Sequence, residues 1–115
     1  MANYLLLIYG DEQKWAGMTP DETTAHHARH REFQAAAGAR SLGGKQLADS
    51  KTATTLRTDD SGTVTPTDGP FLETKEVLGG YYLIEAADLD EAIDLARLLP
   101  EVSAGHSGVE IRPIV

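Results

Sequence analysis

The chain contains no cysteine, which removes disulfides, thiolate nucleophiles, zinc-thiolate sites and iron-sulfur clusters together. Any chemistry must come from oxygen and nitrogen groups. No apolar run approaches the roughly 18 residues needed to cross a bilayer, and aromatic residues make up only 6%. Positive charge is also scarce: 10 Lys and Arg stand against 18 Asp and Glu, a formal charge of −8. Such a surface repels a phosphate backbone unless its basic side chains gather on one face. Nucleic acid and membrane are therefore not expected as partners. The start, Met1-Ala2-Asn3-Tyr4, lacks the basic stretch of a secretory signal, so a cytoplasmic location is the expectation.

What is present is the makeup of an ordinary globular protein. At 115 residues, 41% hydrophobic and 24% charged, the chain fits one domain, residues 1–115, able to hide about 65% of its extended-chain surface. Tyr4-Leu5-Leu6-Leu7-Ile8-Tyr9, closed by Gly10 and Asp11, predicts a central strand buried on both faces. A loop holding Trp15 and Gly17 should follow. Thr19-Pro20-Asp21-Glu22 then supplies an N-cap, a first-turn proline and a capping glutamate, and the helix it opens should run to about Ala37, ended by Gly38. Residues 39–47 read as a second strand, with a bulge or a close backbone approach at Gly43-Gly44. The segments 53–57 and 63–65 flank the turn cluster Asp59-Asp60-Ser61-Gly62, which predicts an exposed polar hairpin.

Gly79-Gly80-Tyr81-Tyr82-Leu83-Ile84 reads as another buried strand. Asp88-Leu89-Asp90-Glu91 opens a second helix, with a stripe of Leu89, Ala92, Ile93 and Ala96 and an end at Pro100. Val109-Glu110-Ile111-Arg112 before Pro113 fits an edge or terminal strand. Without the hairpin the order is two βαβ-like halves, an α+β ferredoxin-like sandwich. Two helices cover one face of such a sheet, yet the first strand and residues 81–84 are apolar or aromatic on both faces. Leaving these side chains wet would forgo about 1.5–3 kcal/mol each. A homodimer with its two sheets face to face is the expected remedy.

One central motif carries a resemblance. Asp68-Gly69-Pro70-Phe71, then Glu73-Thr74-Lys75-Glu76 and Gly79-Gly80-Tyr81-Tyr82, resembles the signature of the YCII-related proteins, specifically the DGPF domain family. Leu5 to Tyr9, Gly43-Gly44, Ala53 to Arg57, Asp88 to Ala92 and Val109 to Pro113 agree in order, so the resemblance spans nearly the whole chain. It implies a dimeric α+β barrel, consistent with the expected homodimer. DGPF members also occur beside or fused to alternative sigma factors, which adds a sigma factor as an implied partner. A His and Asp pair has been given active-site roles in YCII-like relatives, but the resemblance assigns that His to no residue here.

Within the motif, Asp68 can accept backbone amides, Pro70 biases Gly69 toward extended backbone, and Phe71 offers an apolar anchor. Glu73, Lys75 and Glu76 lie between apolar pairs, where burial would shift carboxylates toward acid/base work, whereas exposure would leave a solvated turn. His106, in the loop before the last strand, is the preferred general base. Asp68, Glu73 and Glu76 are the further proton-transfer residues, and Phe71, Arg57, Lys75 and Arg112 the ligand-binding ones. For Arg57 and Arg112 the favoured reading is an intramolecular ion pair with Glu110 or Glu73. His26 and His30, four apart on a helix face shared with Phe33 and Ala37, could both reach one metal. With no HExxH pattern and no marked third ligand, they read as packing or surface histidines, and His27 should point elsewhere. No metal or cofactor is expected. The functional expectation is a small-molecule cleft near the dimer interface with cofactor-independent acid/base chemistry. The alternative is a non-catalytic module that senses a ligand or binds a regulatory protein.

Overall fold

The computed structural model describes residues 1–72 and 74–115. Strand β1 (Ala2–Asp11) leads into a short helix α1 (Glu12–Ala16) and a long helix α2 (Pro20–Ala37). Strand β2 (Ser41–Gln46), a hairpin of β3 (Thr54–Thr58) and β4 (Val64–Asp68), and strand β5 (Glu76–Ala86) follow. Helix α3 (Leu89–Ala96) and strand β6 (Ser107–Pro113) complete the chain. The main sheet has the order β2-β5-β1-β6 with every pairing antiparallel. Set apart from the hairpin, this is the ferredoxin-like arrangement of an α+β protein. No helix of the described residues is long and apolar enough to cross a membrane.

Period-two geometry divides β1 between the faces of the sheet. Tyr4, Leu6 and Ile8 are buried together with Tyr82, Ile84 and Ala86 of β5, and these meet Phe33 and Ala37 of α2 and Ala92, Leu95 and Ala96 of α3. Val109 and Ile111 of β6 pack on the same cluster. The alternate residues Leu5, Leu7 and Tyr9, with Tyr81 and Leu83 of β5, are half-buried. They point to the face away from that core.

Local chemistry sets the element ends. Thr19 Oγ1 accepts from the Glu22 amide while Glu22 accepts from the Thr19 amide, a complete capping box with Pro20 in the first turn. Gly38 ends α2 at φ 54°, a value that favours glycine. The bulge in β2 falls between Ser41 and Gly43, as the glycine pair suggested.

Several sequence expectations are corrected. Trp15 belongs to α1 rather than a loop, because Asp11 caps that helix by accepting from the Gln13 amide. β5 starts at Glu76, so Glu76 is a strand residue and not part of the preceding turn. The buried stripe of α3 is Ala92, Leu95 and Ala96, continued by Leu99, while Leu89 is 48% exposed. Pro100 does not terminate α3. It opens a separate 3₁₀ turn, Pro100–Val102, and that difference matters for the site.

Among the described residues the hairpin β3–β4 pairs only with itself, and every residue of its two strands except Thr55 is exposed. It makes the molecule extended, with a radius of gyration of 16.1 Å where a compact chain of this length has about 13 Å.

Candidate functional site

Helix α2 buries only Phe33 and Ala37, both in its last two turns. One, two and three turns earlier, that side of the helix carries His30, His26 and Thr23, which line a cleft instead of filling a core. The cleft encloses about 660 Å³. Trp15 of α1, Gly44 and Lys45 of β2, Leu47 and Asp49 beyond it, and Gly79, Tyr81 and Tyr82 of β5 form its other walls. Its shape depends on missing side chains: a Cβ on Gly79 would lie 2.6 Å from the Trp15 ring, and one on Gly44 would lie 2.6 Å from the Tyr82 ring. Contacts that close forbid alanine without movement of an aromatic wall.

Glu101 enters this cleft from the 3₁₀ turn. Its residue is 3% exposed, and its Oε2 lies 2.9 Å from Nε2 of His26 and 2.9 Å from Nε2 of His30. The turn is tied to α2 by Arg29, whose guanidinium donates to Ser103 Oγ and to the Leu98 carbonyl at 3.3 Å each. His30 Nδ1 lies 2.8 Å from the Tyr82 hydroxyl, and Gln34 Nε2 donates to that hydroxyl at 3.3 Å. Donors and acceptors match in one direction: Gln34 to Tyr82, Tyr82 O–H to His30 Nδ1, and His30 Nε2–H to Glu101. Both nitrogens of His30 are thereby occupied. His26 Nδ1 has no hydrogen-bond partner among the described residues, and neither has the buried Glu101 Oε1.

The electrostatics follow from burial and charge. Desolvation pushes the Glu101 carboxyl up, but the hydrogen bond from His30 and the charges of His30 and His26 outweigh it, leaving Glu101 below the usual carboxylate range. Burial lowers His26 below the ordinary imidazole value, only partly opposed by the charge of Glu101. Burial raises the Tyr82 phenol, against the hydrogen bond from Gln34. At neutral pH the cluster therefore comprises an ionised Glu101, an uncharged His26 and a protonated Tyr82.

The residues singled out from sequence lie elsewhere. Asp68 is exposed at the end of β4, Glu76 is exposed at the start of β5, and Lys75 is exposed just before it. Glu73 falls outside the described residues. Phe71 is 59% exposed and stacks under the Arg57 guanidinium at 4.4 Å, so it does not anchor the loop in a core. Gly69 does the pinning: its amide donates to the Ala53 carbonyl at 2.7 Å, and its carbonyl accepts from Thr55 Oγ1 at 2.7 Å. Arg112 pairs with Glu110, the intramolecular alternative weighed for it. His106 Nδ1 meets Ser107 Oγ at 2.9 Å, outside the residues that line the cleft. The structure thus brings Arg57 and Phe71 together and leaves Asp68, Glu76 and His106 apart from the His26–His30–Glu101 cluster. His27, expected to point elsewhere, also borders the cleft.

A ferredoxin-like sheet whose helix side ends in a polar cleft defines an α+β small-domain protein with a concave, titratable site. The chain belongs to the YCII-related domain family, whose profile it matches over residues 2–115. It is also 45% identical over 69 residues to an uncharacterized protein of Rhizobium meliloti (strain 1021), an alignment covering 60% of this chain and 55% of that protein. The matched region thus spans about half the length of that relative.

Proposed function

We propose that this protein binds a small polar or aromatic molecule in the cleft and moves a proton on it, with His26 as the exchanging group. The observation that carries this reading is the shared grip of Glu101 Oε2 on two imidazoles at the cleft wall, 2.9 Å from each. With Nε2–H held by Glu101, His26 presents Nδ1 as a base. A proton taken from an acidic C–H or O–H of the ligand would form an imidazolium that the buried carboxylate stabilises. Glu101 is then a positioning residue that fixes the tautomer. Trp15 and Tyr82 supply flat apolar walls, and Lys45 supplies a cation for an acidic substituent. His106, Asp68, Glu73 and Glu76 are proposed as a second proton-transfer set, with Arg57, Phe71, Lys75 and Arg112 as its ligand-binding residues.

The test starts from the single tryptophan. Compounds that change Trp15 emission are identified first, then followed by product analysis. His26→Ala should keep binding within a few fold and lower turnover by about 10²–10⁴-fold; turnover unaltered by this change rejects the assignment. A ligand that is bound but never consumed by the native chain would point to the non-catalytic reading, a ligand sensor or a binder of a regulatory protein such as a sigma factor.

The same proposal includes a homodimer. Leu5, Leu7, Tyr9, Tyr81 and Leu83 share the sheet face opposite the helices, and a second copy packed there would complete a dimeric α+β barrel. Sedimentation should give twice the mass of the 12.4 kDa chain at micromolar concentration, and a monomer there contradicts the dimer.

A further inference from the structure

The geometry points to a divalent transition-metal site at His26 Nε2, His30 Nε2 and Glu101. These three groups place their ligand atoms within 4.8 Å of one another. Two imidazoles and one carboxylate form a nitrogen-rich set suited to zinc and its first-row neighbours, and poorly suited to magnesium or calcium, which take oxygen ligands. The i, i+4 spacing on α2 brings both rings to one side of the helix, their centroids 4.9 Å apart. The third ligand arrives from a turn 71 residues beyond His30, which is why no local sequence pattern marks it.

Two observations besides clustering favour an ion. Glu101 Oε1 is buried without any hydrogen bond among the described residues, an arrangement that protein groups normally avoid and that a bound cation relieves. His30 also already has the outer partner that a metal-bound imidazole needs, because its remote nitrogen meets the Tyr82 hydroxyl at 2.8 Å. Bonds of about 2.0–2.1 Å in tetrahedral geometry separate ligand atoms by about 3.3 Å. The 2.9 Å contacts therefore need to open by only a few tenths of an ångström.

Binding uses the lone pair of each Nε2, so both imidazoles take the Nδ1–H tautomer, and His26 acts as the Nδ1 base proposed above only in the ion-free chain. On His30 that proton is donated to Tyr82. When both imidazoles are uncharged and Glu101 is ionised, no proton is released and the charge of the cluster changes from −1 to +1 on uptake of a divalent ion. Remaining coordination positions would open on the cleft and accept water or an anionic oxygen of a ligand.

The experiment uses the full chain, stripped with a chelator and titrated with Co²⁺ alone and then Zn²⁺ alone. Expected are one ion per chain, visible cobalt bands of a nitrogen–oxygen site, their loss on adding zinc, and a rise in melting temperature with ion concentration. His26→Ala and Glu101→Gln should each weaken binding at least tenfold, while His106→Ala should not. Tyr82→Phe, which keeps the ring, should weaken it about 10–100-fold. If Glu101→Gln fails to fold, the half-exposed His26 carries the test. Absence of cobalt bands, or affinity unchanged in His26→Ala, overturns the site. No organic ligand enters this titration, so its failure leaves the proton-transfer reading intact, and failure to find turnover leaves the ion site intact.

Discussion

Replacing Phe33 by alanine should destabilise the protein by about 3–5 kcal/mol, a large share of the total stability expected of a single domain. Phe33 is fully buried and packs on the Tyr82 ring with centroids 4.5 Å apart. It is the one large apolar side chain that α2 commits to the core, the other buried residue being Ala37. Removing it leaves a cavity between helix and sheet and loosens the element that carries His26 and His30. Chemical denaturation should show the loss as a lower midpoint with an unchanged slope. Phe33→Leu, which refills most of the volume, should recover much of it. A loss below about 1 kcal/mol would mean that the helix is held by something other than this contact.

Glu101→Gln should lower turnover strongly, by up to about 10⁴-fold if Glu101 fixes the His26 tautomer as a buried triad carboxylate does. An amide can present an N–H toward one of the two Nε2 atoms, forcing the opposite tautomer there. The same substitution should alter how stability depends on pH. His26 titrates below its ordinary 6.5 in the folded chain, so the unfolded chain takes up the proton first. Stability should be level above about pH 6.5 and fall as the pH drops through that value toward the lowered folded one. Glu101 also titrates below its ordinary 4.5. Its contribution is present above that pH and is lost as the pH falls through its folded value. In Glu101→Gln the lower limb should vanish. The upper limb should start at the same pH and extend further down, because the carboxylate that partly supports a charged His26 is gone. Thermal melts from pH 8 to pH 3 for the two proteins test both limbs, and superimposable curves would refute the assignment.

Much of the fold was legible because its signals are local. The apolar run of β1, the capping box at Thr19–Glu22, the glycine pair in β2, the turn at residues 59–62 and the alternation in β6 each depend on neighbours in sequence. Helix α1 was missed because its five residues carry little periodic pattern, and its start rests on the Asp11 cap. The frame of α3 departs from its sequence pattern because Leu89 is apolar yet exposed, while Leu95 and Leu99 carry the contact.

The cluster in the cleft was only half visible. His26 and His30 share one helix face by their spacing, but Pro100 in sequence signals a stop, although proline also suits the first position of a helical turn. Glu101 thus passed unremarked as a charged residue in a turn, the kind that is normally solvated. A usable signal did exist: on the helix side that carries Phe33 and Ala37, the preceding turns place polar residues where a core would demand apolar ones. Conversely, the motif at Asp68 to Phe71 drew attention by its distinctiveness. Its described residues serve the hairpin's attachment, with Gly69 at φ 99° joined to Ala53 and Thr55.

That attachment gives the molecule two clocks. An isolated two-stranded ribbon is marginal in water, so amide deuteration across residues 54–68 should be complete long before the central ladder of β1 and β5 begins to exchange. A protease that nicks the ribbon's tip near Ser61 would leave the four-stranded platform and its histidines standing.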